Sequence, residues 1–311
     1  MTSKPRHRGK TGLRTTRDPR PTGRNTPRAA LYPARTTVKA PKAPPQATWH
    51  DLTGELDRWA EAGRTATFWW RDDDAEAPSP ALDRLLALQD AGPNGPIPLS
   101  LAVIPAPSGP GLAARLARES DVAVLQHGWA HANHAPPGER TIELGPHRPA
   151  DAVLSELIDG RERLGRLFGR HFLPVVVPPW NRIDAAVAAA LPAHAYRGLS
   201  SDGARAKQHG NGFTVANVHI DIFRWQPPAC FIGTDIALGQ AVRHLAARRL
   251  GTVDPTEPTG LMTHHRQHDE GCWQFLERFL AVTASHPSVR YLPAAELFMP
   301  DRRDAPSGGR T

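Results

Sequence analysis

Thr67-Phe68-Trp69-Trp70-Arg71-Asp72-Asp73-Asp74-Ala75 is the stretch on which the fold turns: an apolar run that ends in three adjacent carboxylates. A non-alternating apolar run marks a parallel strand covered on both faces. A polar cluster at its C-terminal end lies where α/β barrels place their active sites. Three neighbouring carboxylates repel one another and resist burial without compensation. Some fifty residues on, His127-Gly128-Trp129-Ala130-His131 follows a second apolar run, Val122 to Gln126. Two histidines four apart can present both rings to one point. A divalent cation held by one carboxylate and two imidazoles accounts for both features. That is a three-ligand site with one position open, for which zinc is the first choice.

Working outward, strands and helices alternate. Trp49–Ala62 is predicted as an amphipathic helix, Ala66–Arg71 as a strand, and Ala81–Asp90 as a helix opened by Ser79-Pro80. Strands follow at Leu99–Ile104, Val122–Gln126, Phe172–Val177, Thr214–Ile220, Thr259–Thr263 and Val289–Leu292. Helices are expected at Gly111–Glu119, Pro149–Phe168, Ile183–Leu191, Asp235–Leu250, Glu270–Ala284 and Ala294–Phe298. This order predicts an α/β fold, a parallel sheet or barrel with helices outside.

Charge divides the chain. Residues 1–45 carry twelve Lys and Arg against the single acid Asp18, a net of +11; the whole chain is +7, which leaves −4 for residues 46–311. The basic segment has too few apolar residues to offset its chain entropy and is expected to be a disordered tail. A transit peptide, or an arm for nucleic acid or an anionic surface, is the functional alternative. Residues 46–300 are expected to form the catalytic domain and 301–311 a short disordered tail. No apolar core follows the early basic residues as in a secretory signal, and no stretch approaches the roughly 18 apolar residues of a membrane span. Cys230 and Cys272 lack metal-type spacing and are expected to be lone thiols. A cytoplasmic location is the expectation.

Taken together, these segments resemble the NodB-homology polysaccharide deacetylases, as a divergent member, over roughly residues 65–295. The resemblance implies a distorted (β/α) barrel. The family pattern Thr-Phe-Asp-Asp-Gly aligns with the acidic run so that Asp73 is the general base and Asp74 a metal ligand. Asp72 is then an extra acid, and a shift of one residue is an open alternative. His-Ser-x-x-His matches His127 and His131 as metal ligands, with Gly128 where Ser or Thr is usual. His134 is assigned to a loop or a substrate-facing position. Arg-Pro-Pro-Tyr-Gly is matched by Val177-Pro178-Pro179-Trp180-Asn181, which keeps a rigid aromatic groove wall but lacks the arginine. Asp-x-x-Asp-Trp is matched at Asp221, Arg224 and Trp225. Leu-x-x-His is matched by Leu261 and His264, which implies a Leu in the acyl pocket and a His general acid. His265 is the alternative acid, and His264, His265 and His268 together are an alternative second metal locus.

The implied activity is metal-dependent removal of an N-acetyl or O-acetyl group from a carbohydrate or related small molecule. Pro179, Trp180, Asn181, Asp221, Arg224, Trp225 and Leu261 are the expected substrate-side residues. With Val177 in the arginine position, a second cation is needed beside Asp73. Arg224, the better placed by motif, is expected to supply it; Arg71 is the alternative, on a strand where alternation works to turn it away. If nothing fills that place, the alternative is a catalytically impaired, metal-containing carbohydrate-binding protein.

Overall fold

A computed structural model describes residues 46–299, apart from residue 94 and residues 207–211. The two tails expected at 1–45 and 301–311 lie outside the described residues.

Helix α1 (Trp49–Glu61) is opened by a Thr48–Asp51 capping box and leads into β1 (Ala66–Ala75). Then come α2 (Pro80–Ala87), β2 (Leu99–Val103), α3 (Pro110–Leu116), β3 (Val122–His127), α4 (Ala150–Phe168), β4 (Phe172–Val177) and α5 (Ala185–Ala190). Short strands follow: β5 (Gly198–Leu199), β6 (Thr214–Val215), β7 (Ile220–Asp221), and the pair β8 (Phe223–Arg224) and β9 (Cys230–Phe231). The chain then runs through α6 (Thr234–Arg249), β10 (Thr259–Thr263), α7 (Glu270–Ala284), β11 (Val289–Tyr291) and α8 (Ala294–Phe298). Ser79 and Asp269 cap α2 and α7 by accepting from Leu82 N and Cys272 N.

The main sheet is parallel, in the order β6-β5-β4-β3-β2-β1-β10-β7, with β11 also on β1. Both ends of that order belong to one segment. Thr214, Ala216 and Val218 donate to the carbonyls of Arg197, Leu199 and Ser201; then His219 N donates to Gly260 O in β10. The single strand expected over Thr214–Ile220 is therefore split, because halfway along it changes partners. That exchange brings the sheet back on itself as a distorted (β/α) barrel.

Trp69, Ala102, Leu125, Val175, Val177, Val218 and Met262 pack in one cluster. Side chains from five strands and from the segment joining β6 to β7 can meet this way only inside the barrel. Phe298 of α8 joins them, edge-on to Trp69 at 5.8 Å. Phe68, Trp70, Leu101, Ile220 and Leu261 instead pack with Leu52, Leu56, Leu85, Leu245 and Phe279 of the surrounding helices. Among the described residues, no helix is long and apolar enough to cross a membrane.

Candidate active site

The period-2 alternation of β1 sorts its polar end. Trp69, Arg71 and Asp73 share the inner face, and Trp70 and Asp72 the outer one. All three aspartates are buried. Between Asp72 and Ala75 the register against β2 shifts, and Asp74 has φ +67°. A bulge with left-handed backbone re-aims a side chain at a strand end. Here it brings Asp74 to the rim instead of the outer face.

Asp74 Oδ1 lies 3.1 Å from His127 Nε2 and 3.3 Å from His131 Nε2, and the three donor groups fall within 4.8 Å of one another. Tetrahedral coordination at about 2.1 Å separates ligand atoms by about 3.4 Å, so the set fits a divalent cation. His127 Nδ1 is 3.0 Å from Val177 O. A proton on Nδ1 answers that carbonyl; without a cation Nε2 is protonated as well and bonds Asp74, and with a cation in place its lone pair would face the ion, the usual arrangement of a ligating imidazole. Burial works to raise the Asp74 pKa, but the His127 hydrogen bond and the nearby imidazoles hold it well below the usual carboxylate range. Burial and neighbouring His127 lower His131. Its ring lies 4.3 Å from that of Trp180. Asp74, His131, Trp180 and Asn181 are four of the five non-glycine residues with positive φ among the described residues. Such strain persists only where the surroundings over-determine it, and it gathers at functional sites.

The cation beside Asp73 is Arg71, which corrects the expectation placed on Arg224. Arg71 Nε is 2.8 Å from Asp73 Oδ1, and Nη2 donates to Oδ2 at 2.9 Å. Residues two apart on a strand share a face, so alternation unites this pair instead of separating it. Nη1 donates to Ser200 Oγ at 2.6 Å and Nη2 to Asn181 Oδ1 at 2.8 Å, so the guanidinium is fixed from three directions. The Asn181 carbonyl, expected to face substrate, is thereby committed to Arg71. Arg224 is exposed on the β8–β9 hairpin, donating to Pro228 O at 3.0 Å.

His264 closes the other side, with Nε2 4.0 Å from Asp73 Oδ2. The exposed Trp225 meets its ring edge-on at 4.6 Å, and Trp225 Nε1 donates to Asp221 Oδ2 at 3.3 Å. Burial raises the Asp221 carboxyl, opposed by the nearby His264. Pro179 is buried beneath the aromatic wall. Leu261 does not reach the site: it packs on the outer, helix-covered face, and Met262, one residue on, faces inward against Arg71. Asp72 has an outer-face partner set, accepting from Thr263 Oγ1 at 2.6 Å and His265 N at 3.0 Å while pairing with His265 Nδ1. Burial works against the Asp72 charge, and His265 more than offsets it, so its pKa is lowered. His265 is thus turned from the acid position to an anchoring one. His268 Nε2 accepts from His264 N, and His264, His265 and His268 do not converge on a second metal locus.

A second cluster, His219, His244 and Glu257, also falls within 4.8 Å. Its geometry opposes a metal. His219 Nδ1 accepts from Gly260 N at 3.0 Å, which puts the proton of a neutral ring on Nε2, 3.6 Å from Glu257 Oε2. The two imidazoles stack at 3.4 Å and 14°, so their in-plane lone pairs run side by side without converging. Glu257 is occupied by the main-chain N–H groups of Arg205 and Asn217.

No family model matches the sequence, and no curated protein matches it. Solved structures do. A Mycobacterium smegmatis protein described as a "putative polysaccharide deacetylase" superposes with TM-score 0.53 at 16% identity, covering 81% of this chain and 91% of that one. A peptidoglycan N-acetylglucosamine deacetylase gives 0.46 at 15% identity over 78% and 96% of the two chains. A 4-α-glucanotransferase from Thermococcus litoralis gives 0.48 at 12% identity over 75% and 40%. By fold, this chain stands with the Mycobacterium smegmatis protein, at a divergence that sequence comparison does not bridge.

Proposed function

We propose that the protein is a metal-dependent hydrolase that removes an acetyl group, N-linked in the first instance, from a carbohydrate or a related acetylated small molecule. One observation carries this reading. A buried, arginine-paired Asp73, next in the chain to Asp74 of the Asp74–His127–His131 donor set, lies 4.0 Å from His264 on the rim of a barrel whose structural neighbour bears a deacetylase description.

Asp74, His127 and His131 would hold the cation, zinc being the first choice for one carboxylate and two imidazoles. When bound, it supplies polarisation of the acyl carbonyl and acidification of water. Asp73 accepts the proton of the attacking water, with Arg71 fixing its carboxylate. His264 delivers a proton to the departing amine as the C–N bond breaks, giving acetate and the free amine. Trp180 beside His131 and Trp225 beside His264 offer indole faces to a sugar ring. The impaired-enzyme reading rested on a missing cation, and Arg71 removes that ground.

The test is acetate release from a panel of N- and O-acetylated sugars by metal-loaded protein, with Asp73→Asn as control. Turnover lost in D73N but with metal still bound supports the assignment. Metal uptake without release from any substrate overturns the hydrolase reading.

A further inference from the structure

The loop that carries His131 is built around a carboxylate outside the aligned motifs. We infer that Glu143 is a positioning residue that holds the His127–His131 loop in its metal-binding shape; this rests on the metal reading of Asp74, His127 and His131. Glu143 is 1% exposed. Its Oε2 accepts from Trp129 N at 3.1 Å, and its Oε1 from Ala130 N at 2.8 Å and Ala132 N at 3.3 Å. Three main-chain donors that flank His131 therefore end on one side chain. Charge-assisted bonds of this kind are the strong ones, and the segment needs them. His131 has φ +57° and Gly128 φ +55°, so the loop follows no helical or extended ladder of its own.

Position 128 shows how closely the carboxylate is fitted. A Cβ there would lie 1.9 Å from Glu143 Oε2 and 2.7 Å from Pro179 Cγ. A side chain at 128 and a carboxylate at this spot exclude each other, which explains glycine in a motif where the resemblance leads one to expect Ser or Thr. Gln126 completes the support by donating Nε2 to Gly128 O at 3.0 Å. Glu143 also adds its charge to those of Asp73 and Asp74 near the cation site, since its field is felt at His131.

The experiment compares wild type, Glu143→Gln and Glu143→Ala. The readouts are Zn2+ affinity by chelator competition, the visible spectrum of Co2+-loaded protein, and the melting temperature of the metal-free form. E143A should bind Zn2+ some 10- to 100-fold more weakly, the range for loss of a group that orients a ligand, with an altered Co2+ spectrum. E143Q should fall between, because its amide NH2 confronts an N–H. If E143A does not fold, E143Q decides by the same comparison. Wild-type affinity and spectrum in the variants, whatever their melting temperature, overturn the inference. A wild type that takes up no metal overturns the metal reading beneath it, which the variants cannot be blamed for.

Discussion

Removing Arg71 tests the centre of the site most directly. The residue is wholly buried and its partner Asp73 nearly so, with side-chain exposures of 0% and 3%. Truncating one member of a buried pair leaves the other charge uncompensated, at about 3–5 kcal/mol. The variant of choice is Arg71→Met, which keeps volume and removes the charge. It also orphans Ser200 Oγ and Asn181 Oδ1, so the upper end of that range is expected. Against a total stability of about 5–15 kcal/mol for a typical domain, R71M should fold but unfold at clearly lower urea. Asp73→Asn relieves the stranded charge, so R71M/D73N should be more stable than R71M alone. The cycle should give a coupling of about 3 kcal/mol, the upper end for residues in contact. The assays are urea unfolding by tryptophan fluorescence and acetate release. R71M should lose turnover but retain metal, because Arg71 touches none of Asp74, His127 and His131 by any hydrogen bond. Val177, in the same inner cluster, supplies a gain-of-function arm: Val177→Arg in the R71M background should restore part of the activity. Additive stabilities in the cycle, or wild-type turnover in R71M, would refute the Arg71–Asp73 unit.

Two further outcomes follow from other buried groups. Burial, then His219, pushes His244 down to about 2 from 6.5. Between those values the unfolded chain holds a proton that the folded chain lacks, so stability falls as pH drops below 6.5. Going from pH 7 to pH 5 should cost up to about 2 kcal/mol through this residue. His244→Gln should flatten that part of the profile in urea melts at the two pH values; an unchanged slope would exclude His244 as the source. Burial pushes the Cys272 thiol up to about 12, whereas Cys230 is half-buried. At pH 8 an alkylating reagent should modify Cys230 alone in native protein and both after denaturation, read by mass spectrometry; native labelling of Cys272 would contradict its placement.

The sequence by itself determined the succession of strands and helices, since Phe172–Val177, Thr259–Thr263 and Glu270–Ala284 form with the bounds expected. Apolar period and caps are local properties, legible without knowing what packs where. It also determined which residue types gather at the rim, because strand ends of a barrel converge there. Only the tertiary structure decided how they are used. That Asp74 meets the two histidines depends on a bulge and a positive φ, neither of which composition announces. That Met262 and not Leu261 faces inward depends on strand parity. That Arg71 is the cation follows from β1 alone once its inner face is known, yet that face is defined by side chains from five strands and the segment joining β6 to β7. The two-residue strands β5 to β9 are too short to leave a periodic signal. Glu143 stands sixteen residues beyond His127 and joins the site through backbone N–H groups, which every residue but proline carries and no sequence pattern distinguishes.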